Sequence, residues 1–147
     1  MKNYYSCIDI GYVKHVPQPI QHLAMSKKAG DLGGKIIFYT GEDFKSLASQ
    51  AVIKDKVQTR PDNVDGVIFF TLKQFFYSGK LNFSFLKLLL EKGYEVHFAR
   101  ENISFKSLED LEAAFPMLYS TQYVYKRDEP RTYWKPVWDK LADVNHS

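Results

Sequence analysis

The sequence predicts a three-layer α/β fold built on a parallel sheet, and three observations carry that expectation. Short β-rich apolar runs alternate with segments whose apolar residues recur at helical spacing over roughly the first 115 residues. The run Val67-Ile68-Phe69-Phe70 is continuously apolar, which suits a central strand buried on both faces. Finally, three strand-like runs end abruptly in polar residues, at Gly11–Gln21, Phe69–Gln74 and His97–Glu101. In an open parallel sheet such ends share one rim, where ligands bind.

Taken in order, Tyr5–Val13 reads as the first strand, with Cys7, Ile8, Ile10 and Val13 as its apolar members. Pro17 and Pro19 punctuate a loop, and Pro19 fits the first turn of a helix because its missing N–H is not needed there. That helix is expected from about Ile20 to Leu32, closed by Gly33-Gly34. Lys35–Thr40 is the second strand, followed by a capping arrangement at Thr40-Gly41-Glu42-Asp43 and helical spacing at Phe44, Leu47, Ala48 and Ala51. Gln58–Asn63, with Pro61, reads as a loop. Val64–Leu72 is the third strand, and Ser78-Gly79 a turn.

Asn82 caps an apolar helix carrying Phe83, Phe85, Leu86, Leu88, Leu89 and Leu90, which Gly93 ends. Tyr94–Ala99 is the fourth strand. Ser107 and Asp110 then open a helix with Leu108, Leu111, Phe115 and Leu118 on one face, which Pro116 ends or bends. We therefore expect an α/β domain over residues 1–118. Residues 119–147 are expected to form an aromatic-rich C-terminal appendage, packing on the domain or on a partner subunit, that contains Tyr119, Tyr123, Tyr125, Tyr133, Trp134 and Trp138, with one short helix near Pro136–Val144. Aromatics are 16% of the chain, more than the core needs, and favour an oligomer interface, a homodimer in the commonest case.

Charge and composition exclude several classes. The net charge of +3 is spread along the chain without a basic stripe, so nucleic acid is not an expected partner. Cys7 is the single cysteine and lies in an apolar run, as an inert buried thiol would. The N-terminus lacks the apolar stretch of a signal peptide, and no run approaches the roughly 20 apolar residues of a membrane span. A cytoplasmic address and no membrane partner are expected. His15, His22, His97 and His146 show no metal-ligand spacing. With no dinucleotide fingerprint and no phosphate loop either, neither metal nor cofactor is expected.

At the expected rim, the first strand supplies Tyr12, Lys14 and His15, then Gln18 and Gln21. Thr40 and Glu42 follow the second, Thr71, Lys73 and Gln74 the third, and Arg100 and Glu101 the fourth. Cations, amides, an imidazole and carboxylates in one place suit an anionic, polyhydroxylated ligand or acid–base chemistry. Each alone also reads as a solvated loop residue. If there is chemistry, His15 or Glu42 is the expected general acid–base, since both can titrate and both belong to the rim. His97, between Val96 and Phe98, reads as a packed strand residue with a satisfied hydrogen bond.

Gly11-Tyr12-Val13-Lys14, with Gln18 and Gln21 opening a helix, resembles the first strand and helix of the serine recombinases, the resolvases and invertases. In that family a serine nucleophile stands two residues after an arginine. Here Lys14 occupies the arginine position and Val16 the serine position, and Thr71-Leu72-Lys73-Gln74 replaces the later Asp-Arg pair. The resemblance implies a flavodoxin-like or resolvase-like fold without the strand-cleaving reaction.

The chain also resembles the small sporadic carbohydrate cluster proteins of bacterial surface-polysaccharide gene clusters. The matching motifs are Val16-Pro17-Gln18 with Gln21, Thr40-Gly41-Glu42, Asp65-Gly66 and His97-Phe98-Ala99-Arg100-Glu101, over about residues 8–115. It departs at His22, where that family tends to have Asn, and at Thr71, where a Tyr-Ser pair is usual. This resemblance implies a place in bacterial surface-polysaccharide biosynthesis more than a reaction, and with the rim residues it leads us to expect a sugar, sugar phosphate or nucleotide-linked sugar bound or modified there. The alternative is a non-catalytic scaffold or regulator with a recombinase-like fold.

Overall fold

The computed structural model describes residues 1–42, 51–77 and 80–128, with residues 51, 77 and 122–128 described by their backbone. A five-stranded sheet in the order β2-β1-β3-β6-β7 organises them. Its strands are β1 (Lys2–Asp9), β2 (Gly34–Glu42), β3 (Gly66–Phe69), β6 (Glu95–Phe98) and β7 (Ile103–Phe105). The first four run parallel, and β7 pairs antiparallel with β6. Between β3 and β6 a small antiparallel hairpin joins β4 (Phe76–Tyr77) to β5 (Lys80–Leu81). The helices are α1 (Gln18–Asp31), α2 (Ala51–Gln58), α3 (Phe83–Glu91), α4 (Leu108–Ala113) and α5 (Phe115–Asp128).

Helices cover both faces of the sheet, so the three-layer α/β expectation holds. One core contains Ile53 and Val57 of α2, Leu86 and Leu89 of α3 and Leu111 of α4, packed on Cys7, Val67, Phe69, Val96 and Phe98. The opposite core is built by α1, whose Met25 and Ala29 pack on Tyr4, Ile8, Ile68 and Phe70. All four residues of β3 are buried, as a central strand requires. Its entry glycine is also dictated by space. A Cβ on Gly66 would stand 2.4 Å from the Glu95 carbonyl oxygen.

Several boundaries move. β1 begins at Lys2 and stops at Asp9, because Ile10–Tyr12 wind into a 3-10 turn closed by the Val13 N–H on the Ile10 carbonyl. A run of apolar residues cannot by itself distinguish strand from turn. The third strand also stops early, at Phe69, and Thr71 caps a second 3-10 turn over Leu72–Phe75. Asn82 caps α3 by accepting from the Phe85 N–H, and Gly93 at φ 87° ends it, both as expected.

Pro116 falls in the first turn of α5, where it is tolerated, so α4 and α5 are separate. The expected boundary between residues 118 and 119 lies inside α5, which buries Leu118 and exposes Phe115, Met117 and Tyr119. The expected features at Asp43–Gln50, Ser78-Gly79, Tyr133, Trp134, Trp138, His146 and the helix near residues 136–144 lie outside the described residues. Among those described, no helix is long and apolar enough to cross a membrane.

Candidate functional site

The crossover from β1 leads outward to β2, whereas that from β3 leads to β6 on the other side. The carboxyl ends of β1 and β3 are therefore where the chain order reverses, the position at which open α/β sheets form a ligand crevice. Three loops meet there, and each is fixed by buried side chains.

The first loop, from Ile10 to Pro17, is held by Gln21. Its amide oxygen accepts from the Asp9 N–H at 2.9 Å, and its amide nitrogen donates to the carbonyls of Asp9 and Val16, both at 3.0 Å. The second loop follows β3. Gln74 accepts from the Thr71 N–H at 2.8 Å and donates to the Cys7 carbonyl at 3.1 Å, tying the turn to β1. The third loop leaves β6 at Ala99, and Glu101 joins it to the second. One carboxylate oxygen takes the Leu72 N–H at 2.8 Å and the other the Thr71 hydroxyl at 2.6 Å.

These ties bring two cations to the Tyr12 ring. The Lys73 ammonium lies 5.2 Å from the Tyr12 ring centre and the Arg100 guanidinium 5.3 Å from it. The ring also packs near Phe70, at 6.5 Å, and the exposed His15 ring, at 5.0 Å. Among the described residues, no carboxylate lies within ion-pairing distance of Lys73 or Arg100.

The structure thus brings Tyr12, His15, Lys73 and Arg100 together, with Lys14 exposed on the same loop. Gln21, Thr71, Gln74 and Glu101 stand beneath them as buried or half-buried supports. Gln18 is exposed at the start of α1, 3.4 Å from His22, and Thr40 is half-buried on β2 opposite Cys7. Glu42 turns the other way. It is buried and accepts from the Ile53 N–H at 3.0 Å in the first turn of α2. Burial pushes its carboxyl above the ordinary 4.5, with backbone donors and Lys54 acting in opposition. Of the two candidate acid–base groups, His15 belongs to the Tyr12 cluster and Glu42 to the α2 contact.

A second polar group lies on the sheet face across β1, β6 and β7. Glu95 receives Lys2 at 2.8 Å, the Tyr4 hydroxyl at 3.1 Å and His97 Nε2 at 2.8 Å. His97 Nδ1 faces the Ser104 hydroxyl at 2.6 Å. Sequence reading found the packed His97 but not Ser104, whose strand β7 is only three residues long, nor Glu95 on the expected fourth strand. The usable signal was Glu95 and His97 at strand period, on one face.

Burial raises the Glu95 pKa, but the Lys2, His97 and Tyr4 hydrogen bonds outweigh it, leaving the carboxyl below 4.5. Burial holds the His97 ring below 6.5, against the pull of Glu95. Both shifts have one sign for stability, since the unfolded chain takes up each proton first as pH falls. The His97 contribution is complete above 6.5 and the Glu95 contribution above 4.5, and each is lost as pH falls through the folded value. The raised Glu42 carboxyl acts with the opposite sign down to 4.5, so the melting temperature should decline gently on acidification below 6.5 and more steeply below 4.5. A melting temperature level across that range contradicts the assignment.

With this geometry in place, comparison with known proteins defines the fold class. A crystal structure of a resolvase family site-specific recombinase from Streptococcus pneumoniae shares the fold, with a TM-score of 0.59 over 100% of both chains at 13% identity. The chain is thus a resolvase-like α/β protein; at that identity the likeness extends to the fold alone. No protein-family model and no curated protein matches it.

Proposed function

We propose that the chain binds an anionic carbohydrate ligand, a sugar phosphate or nucleotide-linked sugar, at the crevice over β1 and β3, within surface-polysaccharide biosynthesis. The observation that carries this reading is the Tyr12 ring flanked by Lys73 and Arg100, with no carboxylate among the described residues neutralising either cation. Two such charges at a topological switch point suit a phosphate or diphosphate, with Arg100 able to present a planar fork. The carbohydrate part of the proposal rests on the likeness to the sporadic carbohydrate cluster proteins. Lys14, His15 and Gln18, all exposed near the crevice, supply further polar contacts. Gln21, Gln74 and Glu101 support the loops and do not touch the ligand. His15 is the remaining candidate for proton transfer at this place.

The fold likeness favours a second reading, a non-catalytic interaction protein that retains a resolvase-like frame. The expected homodimer would use α5, where Phe115, Met117 and Tyr119 are exposed.

A melting-temperature screen against sugar phosphates, nucleotide sugars and free nucleotides separates the two readings. A ligand at a hundredfold excess over its dissociation constant stabilises the native state by about 2.7 kcal/mol. Lys73→Gln and Arg100→Gln should each weaken binding more than about tenfold, since hydrogen bonds to charged groups contribute about 1.5–3 kcal/mol. The double variant should melt like the native protein without ligand and show no shift with it. No shift across the whole panel, or one that survives the double substitution, overturns the proposal.

A further inference from the structure

We propose that Ser104, His97 and Glu95 form a nucleophile–base–orienter relay that hydrolyses small acyl esters on the sheet face at β6 and β7, away from the Tyr12 crevice. The inference starts from register. His97 and Ser104 are directly opposite one another on β6 and β7, and Glu95 lies two residues before His97 on the same face. The distances meet the geometric requirement for such a relay: 2.6 Å from Ser104 Oγ to His97 Nδ1, and 2.8 Å from His97 Nε2 to Glu95 Oε1.

The proton positions follow from the partners. The Glu95 carboxyl is held ionised by Lys2, His97 and Tyr4, so it can only accept hydrogen bonds. His97 Nε2 must then carry the hydrogen it donates to Glu95. Burial keeps the ring neutral near neutral pH, which leaves the Nδ1 lone pair to accept the Ser104 O–H. An edge-on contact with Tyr4, at 5.5 Å between ring centres, clamps the imidazole further. The charged and titratable groups acting on the ring are Glu95 of β6, Lys28 of α1 and Lys106 after β7, with Tyr4 and Lys2 of β1 held through Glu95.

Accessibility has the right polarity. His97 is wholly buried, whereas Ser104 is exposed on β7, the last strand of the sheet. Lys28 is anchored by its 2.6 Å hydrogen bond to Asn102, two residues before Ser104, and with Lys106 it adds positive charge that acts on the His97 ring.

In the reaction, the Ser104 oxygen bonds to the ester carbonyl carbon while its proton passes to His97 Nδ1. The bond from that carbon to the alkoxy oxygen then breaks, and the leaving oxygen takes the proton from Nδ1. Water repeats the sequence on the acyl-serine: its proton goes to Nδ1, its oxygen bonds to carbon, and Ser104 leaves with the proton. The net change is ester plus water to acid plus alcohol.

A fluorophosphonate probe tests the relay, with intact-mass and peptide-mapping readouts, alongside p-nitrophenyl acetate hydrolysis. The native chain should gain a single adduct, on Ser104, and Ser104→Ala should lose both the adduct and the hydrolysis. His97→Gln should reduce the rate by roughly 10²–10⁴-fold, the usual contribution of a positioned general base. Because that substitution empties a buried site and can unfold the chain, the native pH profile provides a second readout. The labelling rate should rise through a single titration with a midpoint below the ordinary histidine value of 6.5. No adduct, an adduct retained in Ser104→Ala, or a rate that rises only in alkali overturns the proposal.

Discussion

Phe69→Ala should destabilise the fold by about 3–5 kcal/mol, the usual range for removing a fully buried aromatic ring. The Phe69 ring is wholly buried in β3. Ring centres of Phe75, Phe98 and Phe85 lie 4.7, 5.8 and 6.4 Å from it, so three elements lean on one side chain. Phe75 and Phe85 also stack on each other at 5.6 Å, which resists inward collapse and preserves most of the cavity. Small domains are stable by only about 5–15 kcal/mol, so the loss is a large share of the total. Denaturant unfolding should show a lower midpoint at unchanged slope. Leu23→Ala, at an exposed position on α1, serves as the control and should change stability by under about 0.5 kcal/mol. Similar losses from the two substitutions would mean that Phe69 is not the centre of the core.

That centre was legible because four consecutive apolar residues leave a strand no solvent face. The cap at Asn82 and the stop at Gly93 were legible for a different reason: their local backbone chemistry does not depend on tertiary context. What escaped depended on partners distant in sequence. Ile10 and Val13 are apolar but belong to a turn, because the Gln21 amide captures Asp9 and ends the ladder there. Ile103–Phe105 is too short to announce itself and becomes a strand by pairing with β6.

The rim was legible as a place, since strand ends in a parallel sheet share one edge. The division of labour within it was not. Lys73 and Arg100 meet at Tyr12, while Gln74 and Glu101, adjacent to them in sequence, turn inward as supports. Adjacent residues on a turn point in different directions, and sequence carries no measure of that.

Gln21→Leu should separate a supporting role from a ligand contact. Leucine fills a similar volume but leaves the Asp9 N–H and the Asp9 and Val16 carbonyls without the amide partners they have now. Each buried group deprived of its partner costs about 1–3 kcal/mol. Water reaches the partly buried Val16 side more readily than Asp9, so the expected total is about 2–5 kcal/mol. The loop that carries Tyr12 would be released at its base, and amide exchange from Asp9 through Val16 should accelerate well before global unfolding.

Anion binding should weaken in the same variant, because Tyr12 no longer holds Lys73 and Arg100 at their present spacing. Lys73→Gln and Arg100→Gln should show the opposite pattern, with weakened binding and unchanged exchange. If Gln21→Leu instead kept its melting temperature and its exchange rates while losing only ligand binding, the amide would be a ligand contact. In that case the three hydrogen bonds to Asp9 and Val16 would not be what holds the loop.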